Sequence, residues 1–160
     1  MFRGIFETTI DAKGRTSLPA KFRDVLVESF GDERFFITNA IPVKVGEGAA
    51  CSGLVIYPYS EWLALEDKIR AGAGLGFTSA QLEAVKRWSV APAEERSADK
   101  LGRFLVPPHL RKSAALDRDI VFVGSLGKLE IWSLAEWDKV FAQSAKDFPV
   151  DTQALAELGL

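Results

Sequence analysis

A chain of 160 residues, with 48% hydrophobic and 26% charged residues, has the composition of a soluble globular protein and the length of one ordinary domain or two small units sharing a core. The single cysteine and single histidine exclude an internal disulfide and leave no raw material for a histidine metal cluster or a redox centre, so no cofactor and no metal is expected. A net charge of −2 is no signature of a nucleic-acid binder, while the lack of a bilayer-length apolar run or of a signal-peptide stretch in "MFRGIFETTI" predicts a cytoplasmic protein away from membranes.

In chain order, "FRGIFETTI" carries strand-forming residues, "DAKGR" supplies a turn, and "TSLP" resumes an extended stretch closed by proline; together they predict a hairpin. After Pro19, Phe22, Val25, Leu26 and Phe30 fall on one helical face that stops at Gly31. "RFFIT" and "GLVIYP" follow as short apolar strands, separated by "NAIPVKVGEGAACSG", whose Gly, Ala and Pro content reads as a long hairpin loop with Cys51 as an incidental thiol. "SEWLALEDKIRAG" is a helix ending at Gly72. Then come a glycine-rich joint and a connecting helix, with a capping box at Thr78 and Gln81 and Leu82, Val85 and Trp88 on one face. Neither Gly72, Gly74 and Gly76 nor "GSLGKLE" meets the spacing of a nucleotide-binding loop.

The remaining elements repeat the first ones. An extended stretch leads into "DKLGR", "FLVPP", a short helix around "HLRKSAAL", the strands "DIVFVG" and "KLEIWS", and the helix "SLAEWDKVFAQSAKDF". That last helix opens on a capping-box pattern at Ser133 and Glu136 and aligns Leu134, Trp137, Phe141 and Phe148. "DAKGRTSLPAKFR" and "DKLGRFLVPPHLR" match in Asp, Gly, Arg, Pro and Arg at an offset of 88, whereas "LVIYPYSEW" and "LEIWSLAEW" match at 75. The smaller offset predicts about a dozen extra residues between the third and fourth strands of the first copy. Trp62 and Trp137, in equivalent helices, read as core anchors.

Positive charge gathers where the sequence repeats. Residues 1–27 hold five basic side chains against three acidic ones, and so do residues 93–116, which leaves −6 for everything else. In Asp-x-x-Gly-Arg the glycine permits the positive φ of a tight turn, the aspartate accepts the turn's amides, and an aspartate beside the arginine orients a guanidinium toward a phosphate or a guanine edge. The same pair also serves simply to staple a hairpin. Polar "TS" after Arg15 and apolar "FL" after Arg103 predict that the first turn is the more exposed and the second the more packed, which favours the first as the ligand-binding one. His109, between Pro108 and Leu110, reads as a surface residue at a helix start.

With "MFRGI", "DAKGR" and its downstream Pro19, "DKLGR" with "VPP", and the closing "EIWSLAEW", the whole chain resembles the MraZ family of bacterial transcriptional regulators. The resemblance implies an α+β fold: two tandem AbrB-like swapped-hairpin β units with flanking helices, forming one intrachain pseudo-dimer. It also implies sequence-specific binding of double-stranded DNA at repeated promoter elements of the division and cell-wall gene cluster, the chain's own promoter included. A homo-oligomeric ring, association with the nucleoid and the absence of any small-molecule substrate complete the expectation. The expected boundaries are 1–72 and 90–148 for the two repeats with their helices, 73–89 for the connection and 149–160 for a C-terminal tail. The expected DNA contacts are Arg3, Lys13, Arg15, Lys21, Arg23, Lys100 and Arg103, with Asp11, Gly14, Asp99 and Gly102 shaping the turns. A structural or protein-interaction scaffold on the same fold is the alternative, and the shortage of catalytic side chains argues against an enzyme.

Overall fold

The computed structural model describes residues 1–72 and 74–160; Ala73, the first residue of the expected connection, lies outside them. The first half runs β1 (Phe2–Thr9), β2 (Arg15–Ser17), α1 (Ala20–Phe30), β3 (Arg34–Asn39), β4 (Leu54–Pro58) and α2 (Tyr59–Ala71). A connection follows, made of α3 (Ser79–Val85) and a π-helical turn at Lys86–Val90. The second half runs β5 (Glu94–Ser97), β6 (Arg103–Leu105), α4 (Pro108–Ser113), β7 (Asp119–Leu126), β8 (Lys128–Ser133) and α5 (Leu134–Asp147), and the expected tail carries a short helix, α6 (Thr152–Leu158). No helix among the described residues is long and apolar enough to cross a membrane.

The turn after β1 forms, but its two arms do not pair with each other as the simple hairpin reading expected. β1 pairs antiparallel with β7 of the other repeat, from Phe2 opposite Leu126 to Thr9 opposite Asp119, and β2 pairs with β6. Crossing in this way lets Ile10, Leu18, Phe104 and Val106 enter one buried cluster with Phe22 and Ile37, a core that a single four-strand unit is too small to close.

The six-stranded order β1-β7-β8-β4-β3-β5 reads the same from either end once each strand is replaced by its repeat equivalent. At its centre Val55 faces Glu130, flanked by Leu54 opposite Ile131 and Ile56 opposite Leu129; in the small ribbon Thr16 faces Phe104. These self-pairs mark a pseudo-twofold axis through the molecule. The register also relocates the extra residues. The offset is 88 at the turns, 85 where Arg34 and Asp119 occupy equivalent sites, and 75 at β4 and β8, so three residues are lost with the shorter α4 and the turn after it, and ten in the loop.

That loop closes through reciprocal hydrogen bonds between Val43 and Cys51 (2.8 and 2.9 Å) and packs Cys51 into a second cluster with Val121, Trp132 and Val140. Burial, aided by Glu136, pushes the Cys51 thiol up to about 11, so the residue behaves as a small core side chain. Trp62 is fully buried, stacks on Phe36 at 5.4 Å and donates its Nε1–H to Glu66 (2.7 Å). Its counterpart is less deep. Trp137 is half-buried, and on α5 it is Val140 that faces the core while Phe141 and Phe148 lie 58% and 56% exposed. The apolar stripe expected through Phe148 breaks because the helix ends at Asp147 and Phe148 takes a ψ of 126°, outside helical periodicity. Ser133 caps α5 by accepting from the Glu136 amide (3.2 Å), and the Thr78–Gln81 box forms reciprocally. The connection is docked, with Trp88 donating Nε1–H to the Ala40 carbonyl (2.9 Å) and Thr38 Oγ1 donating to Ser89 (2.6 Å).

Candidate nucleic-acid interface

The two Asp-x-x-Gly-Arg turns are built alike, atom for atom. Asp11 Oδ1 accepts the amides of Lys13 and Arg15, both at 2.9 Å, and Oδ2 accepts Arg15 Nε–H at 2.8 Å. Asp99 accepts the amides of Leu101 and Arg103 at 2.9 Å and Arg103 Nε–H at 3.0 Å. Gly14 and Gly102 sit at φ of 87° and 82°, a region closed to most side chains. Each aspartate takes only Nε, neither arginine's Nη groups have a hydrogen-bond partner among the described residues, and both side chains are 58% exposed. The lysines are offset by one place: Lys13 matches Leu101, and Lys100 matches Ala12.

The expected difference in exposure between the turns is absent. Thr16 and Phe104 are both buried, Ser17 and Leu105 are both exposed, and the aspartates are equally accessible, because strand alternation sends equivalent positions to the same face whatever their chemistry. The turns differ in their surroundings instead. An open groove of about 1040 Å³ runs along the β2–β6 ribbon and is lined by Asp11, Arg15, Asp99 and Arg103 together with Asp117 and Arg118. Glu33, the residue equivalent to Arg118, lines a separate hollow beside Asp99 and Lys100, together with Asp24. The two surroundings thus differ at one equivalent pair, Arg118 of the second repeat in the groove shared by both turns and Glu33 of the first in the hollow.

Lys13, Arg15, Lys100 and Arg103 are all exposed, at or beside the two turns. Lys21 is exposed in the first turn of α1. Arg3 is not part of this group: it pairs opposite Ser125 near the start of β1, six residues before Thr9, or roughly 20 Å along the strand. Arg23 is half-buried and donates Nη1–H to the Lys100 carbonyl at 3.2 Å, beneath the opposite turn. Arg111, outside the expected set, does the same to Ala12 at 3.3 Å, and its 88-residue offset from Arg23 was the available signal for it. Arg118 had none. His109 is exposed, with Nε2 2.9 Å from the Pro92 carbonyl.

Hydrogen bonds from the arginine amides lead the causes that hold the Asp11 and Asp99 carboxyls below their ordinary value of 3.8, with the arginine side chains adding to the effect. A lowered folded value means that each charge stabilises the turn above the ordinary carboxylate range and that this contribution disappears as pH falls through the folded value. Asp11→Asn combined with Asp99→Asn should therefore lower stability in urea melts at about pH 7 and converge with the parent at about pH 2. An equal deficit at both pH values would show that the carboxylate charge is immaterial.

The family model for the MraZ protein, described as antitoxin-like, matches residues 1–78 and 90–158, two segments separated by α3 and most of the π-helical turn. The chain belongs to the MraZ family. It is similar over its full 160 residues, and over the full length of each relative, to proteins named Transcriptional regulator MraZ from Geotalea uraniireducens (71% identical), Geotalea daltonii (70%) and Desulfitobacterium hafniense (38%). In this MraZ family member the two Asp–Arg turns of the α+β swapped-hairpin pseudo-dimer line one groove.

Proposed function

We propose that this chain is a sequence-specific transcriptional regulator that grips double-stranded DNA with the Asp11–Arg15 and Asp99–Arg103 turns. The observation that carries the reading is the pair of exposed arginines held through Nε, with Nη groups that have no partner among the described residues, one on each side of the pseudo-twofold axis. A guanidinium fixed in this way can donate two parallel hydrogen bonds to a phosphate or to guanine O6 and N7, and a two-stranded ribbon is narrow enough to enter a major groove. Lys13, Lys100 and Lys21 add phosphate contacts around it. The relatives' shared name, transcriptional regulator, is of the same kind.

The finer reading follows the same logic. Repeats 1–72 and 90–148, joined by 73–89 and followed by the tail 149–160, act as one binding unit. The targets are repeated promoter elements of the division and cell-wall gene cluster, including the chain's own promoter, bound in the cytoplasm at the nucleoid by a homo-oligomeric ring. Recognition needs no cofactor or metal.

Fluorescence anisotropy with a duplex taken from upstream of the protein's own gene tests the reading against a scrambled duplex of equal length. The upstream duplex should bind at least about 100-fold tighter at the same salt. Equal affinity, or no binding to either, would leave the scaffold as the better account.

A further inference from the structure

The two arginines beneath the turns are the least expected feature of the site. Arg23 leaves α1 of the first repeat and reaches the second repeat's turn, 77 residues away, where Nη1–H bonds the Lys100 carbonyl. Arg111 leaves α4 and reaches the first repeat's turn at Ala12. In each case the Nε and Cζ atoms of the arginine pack closely against the turn's glycine. A Cβ on Gly14 would come within 2.6 Å of Arg111 Cζ, and one on Gly102 within 3.1 Å of Arg23 Cζ. Both Nε atoms are buried, with no acceptor among the described residues, so that edge of each guanidinium faces the turn rather than solvent. From the other side, the Leu18 amide donates to the Gly102 carbonyl at 2.7 Å and the Val106 amide to that of Gly14 at 2.8 Å. Each turn is clasped by the opposite repeat, and donors and acceptors alike are related by the 88-residue offset.

We propose that Arg23 and Arg111 are positioning residues that hold the recognition turn of the opposite repeat, so that neither Asp–Arg turn is placed by its own half of the chain alone. This takes Arg23 out of the direct contacts expected from the sequence. The clasp needs an arginine and a glycine: a lysine offers a point charge on a flexible stem, and a Cβ on the glycine would collide with Arg111 at Gly14 and crowd Arg23 at Gly102. The clasp sets the spacing of Arg15 and Arg103 across the axis. Its functional half rests on the DNA-binding reading, whereas its structural half does not.

The test uses the full chain with Arg111→Lys, Arg111→Met, Arg23→Lys and Arg23→Met, and with Arg15→Ala as a contact control. Hydrogen exchange followed by mass spectrometry, without DNA, should show residues 11–15 exchanging about 10-fold faster in the Arg111 variants and residues 99–103 doing so in the Arg23 variants. A general loss of stability would loosen both turns together and would overturn the assignment. The second arm measures binding to the upstream and scrambled duplexes over a salt series. Arg111→Lys should lose about 10-fold in affinity for the upstream duplex while keeping the salt dependence of scrambled-duplex binding. A residue that instead contacted phosphate would be rescued by lysine, and its methionine variant would lower the salt slope by about one. Lysine rescue, or unchanged exchange at the opposite turn, therefore defeats the proposal. If the methionine variants fail to fold, the lysine variants decide both arms. Should the parent not distinguish the two duplexes, the DNA-binding reading fails and the exchange arm alone decides the clasp.

Discussion

Arg15→Ala is expected to weaken binding to the upstream duplex by about 1–3 kcal/mol, roughly 5- to 150-fold, while the protein still folds. The side chain is exposed and its only polar partner among the described residues is Asp11, and exposed ion pairs hold little of a fold together. Asp11 keeps the amides of Lys13 and residue 15 after the substitution, so the turn retains its frame. Arg103→Ala should cost less. Asp24 and Glu33 line the hollow beside Asp99 and Lys100 of the second turn, and their charge opposes a phosphate backbone there. Titrations of both variants at one salt concentration, paired with thermal melts, check the order. An Arg15→Ala protein that unfolds, or that binds as the parent does, would mean that the pair is only a staple.

Duplexes bearing several phased repeats are expected to bind roughly 10- to 1,000-fold more tightly than a duplex with one repeat. A single subunit offers few exposed cations at its two turns, chiefly Lys13, Arg15, Lys100 and Arg103, against a body whose overall charge is −2, so one grip is weak and sensitive to salt. In a closed ring the turns of neighbouring subunits come at fixed spacing, and the second contact is made at high effective concentration. Inserting about five base pairs between repeats rotates one site by half a helical turn and should return the affinity to that of a single repeat. Light scattering on the free protein gives the subunit number in parallel. Equal affinity for single, phased and half-turn-shifted repeats would rule out the multivalent mechanism even with DNA binding intact.

The residues themselves determined much of this protein. The doubled phrase identified two copies of one unit, Asp11 and Asp99 announced their turns, Gly31 and Gly72 ended their helices, and Thr78 with Gln81 began a third, because capping and turn chemistry act over three or four residues and are written in sequence. Family resemblance added the swap. Which strand each arm joins was decided by tertiary structure, since β1 meets β7 more than a hundred residues away and local propensity is indifferent to the partner. The same holds for Cys51, which loop composition left incidental and which the second repeat buries, and for the equal exposure of the two turns, which follows from strand alternation around the axis. Arg23 and Arg118 make the point most sharply. One looked like a free cation and lies beneath the opposite turn, while the other carried no signal and lines the groove. Charge is visible residue by residue, but whether it faces solvent, a carbonyl or a ligand depends on which distant segment folds against it.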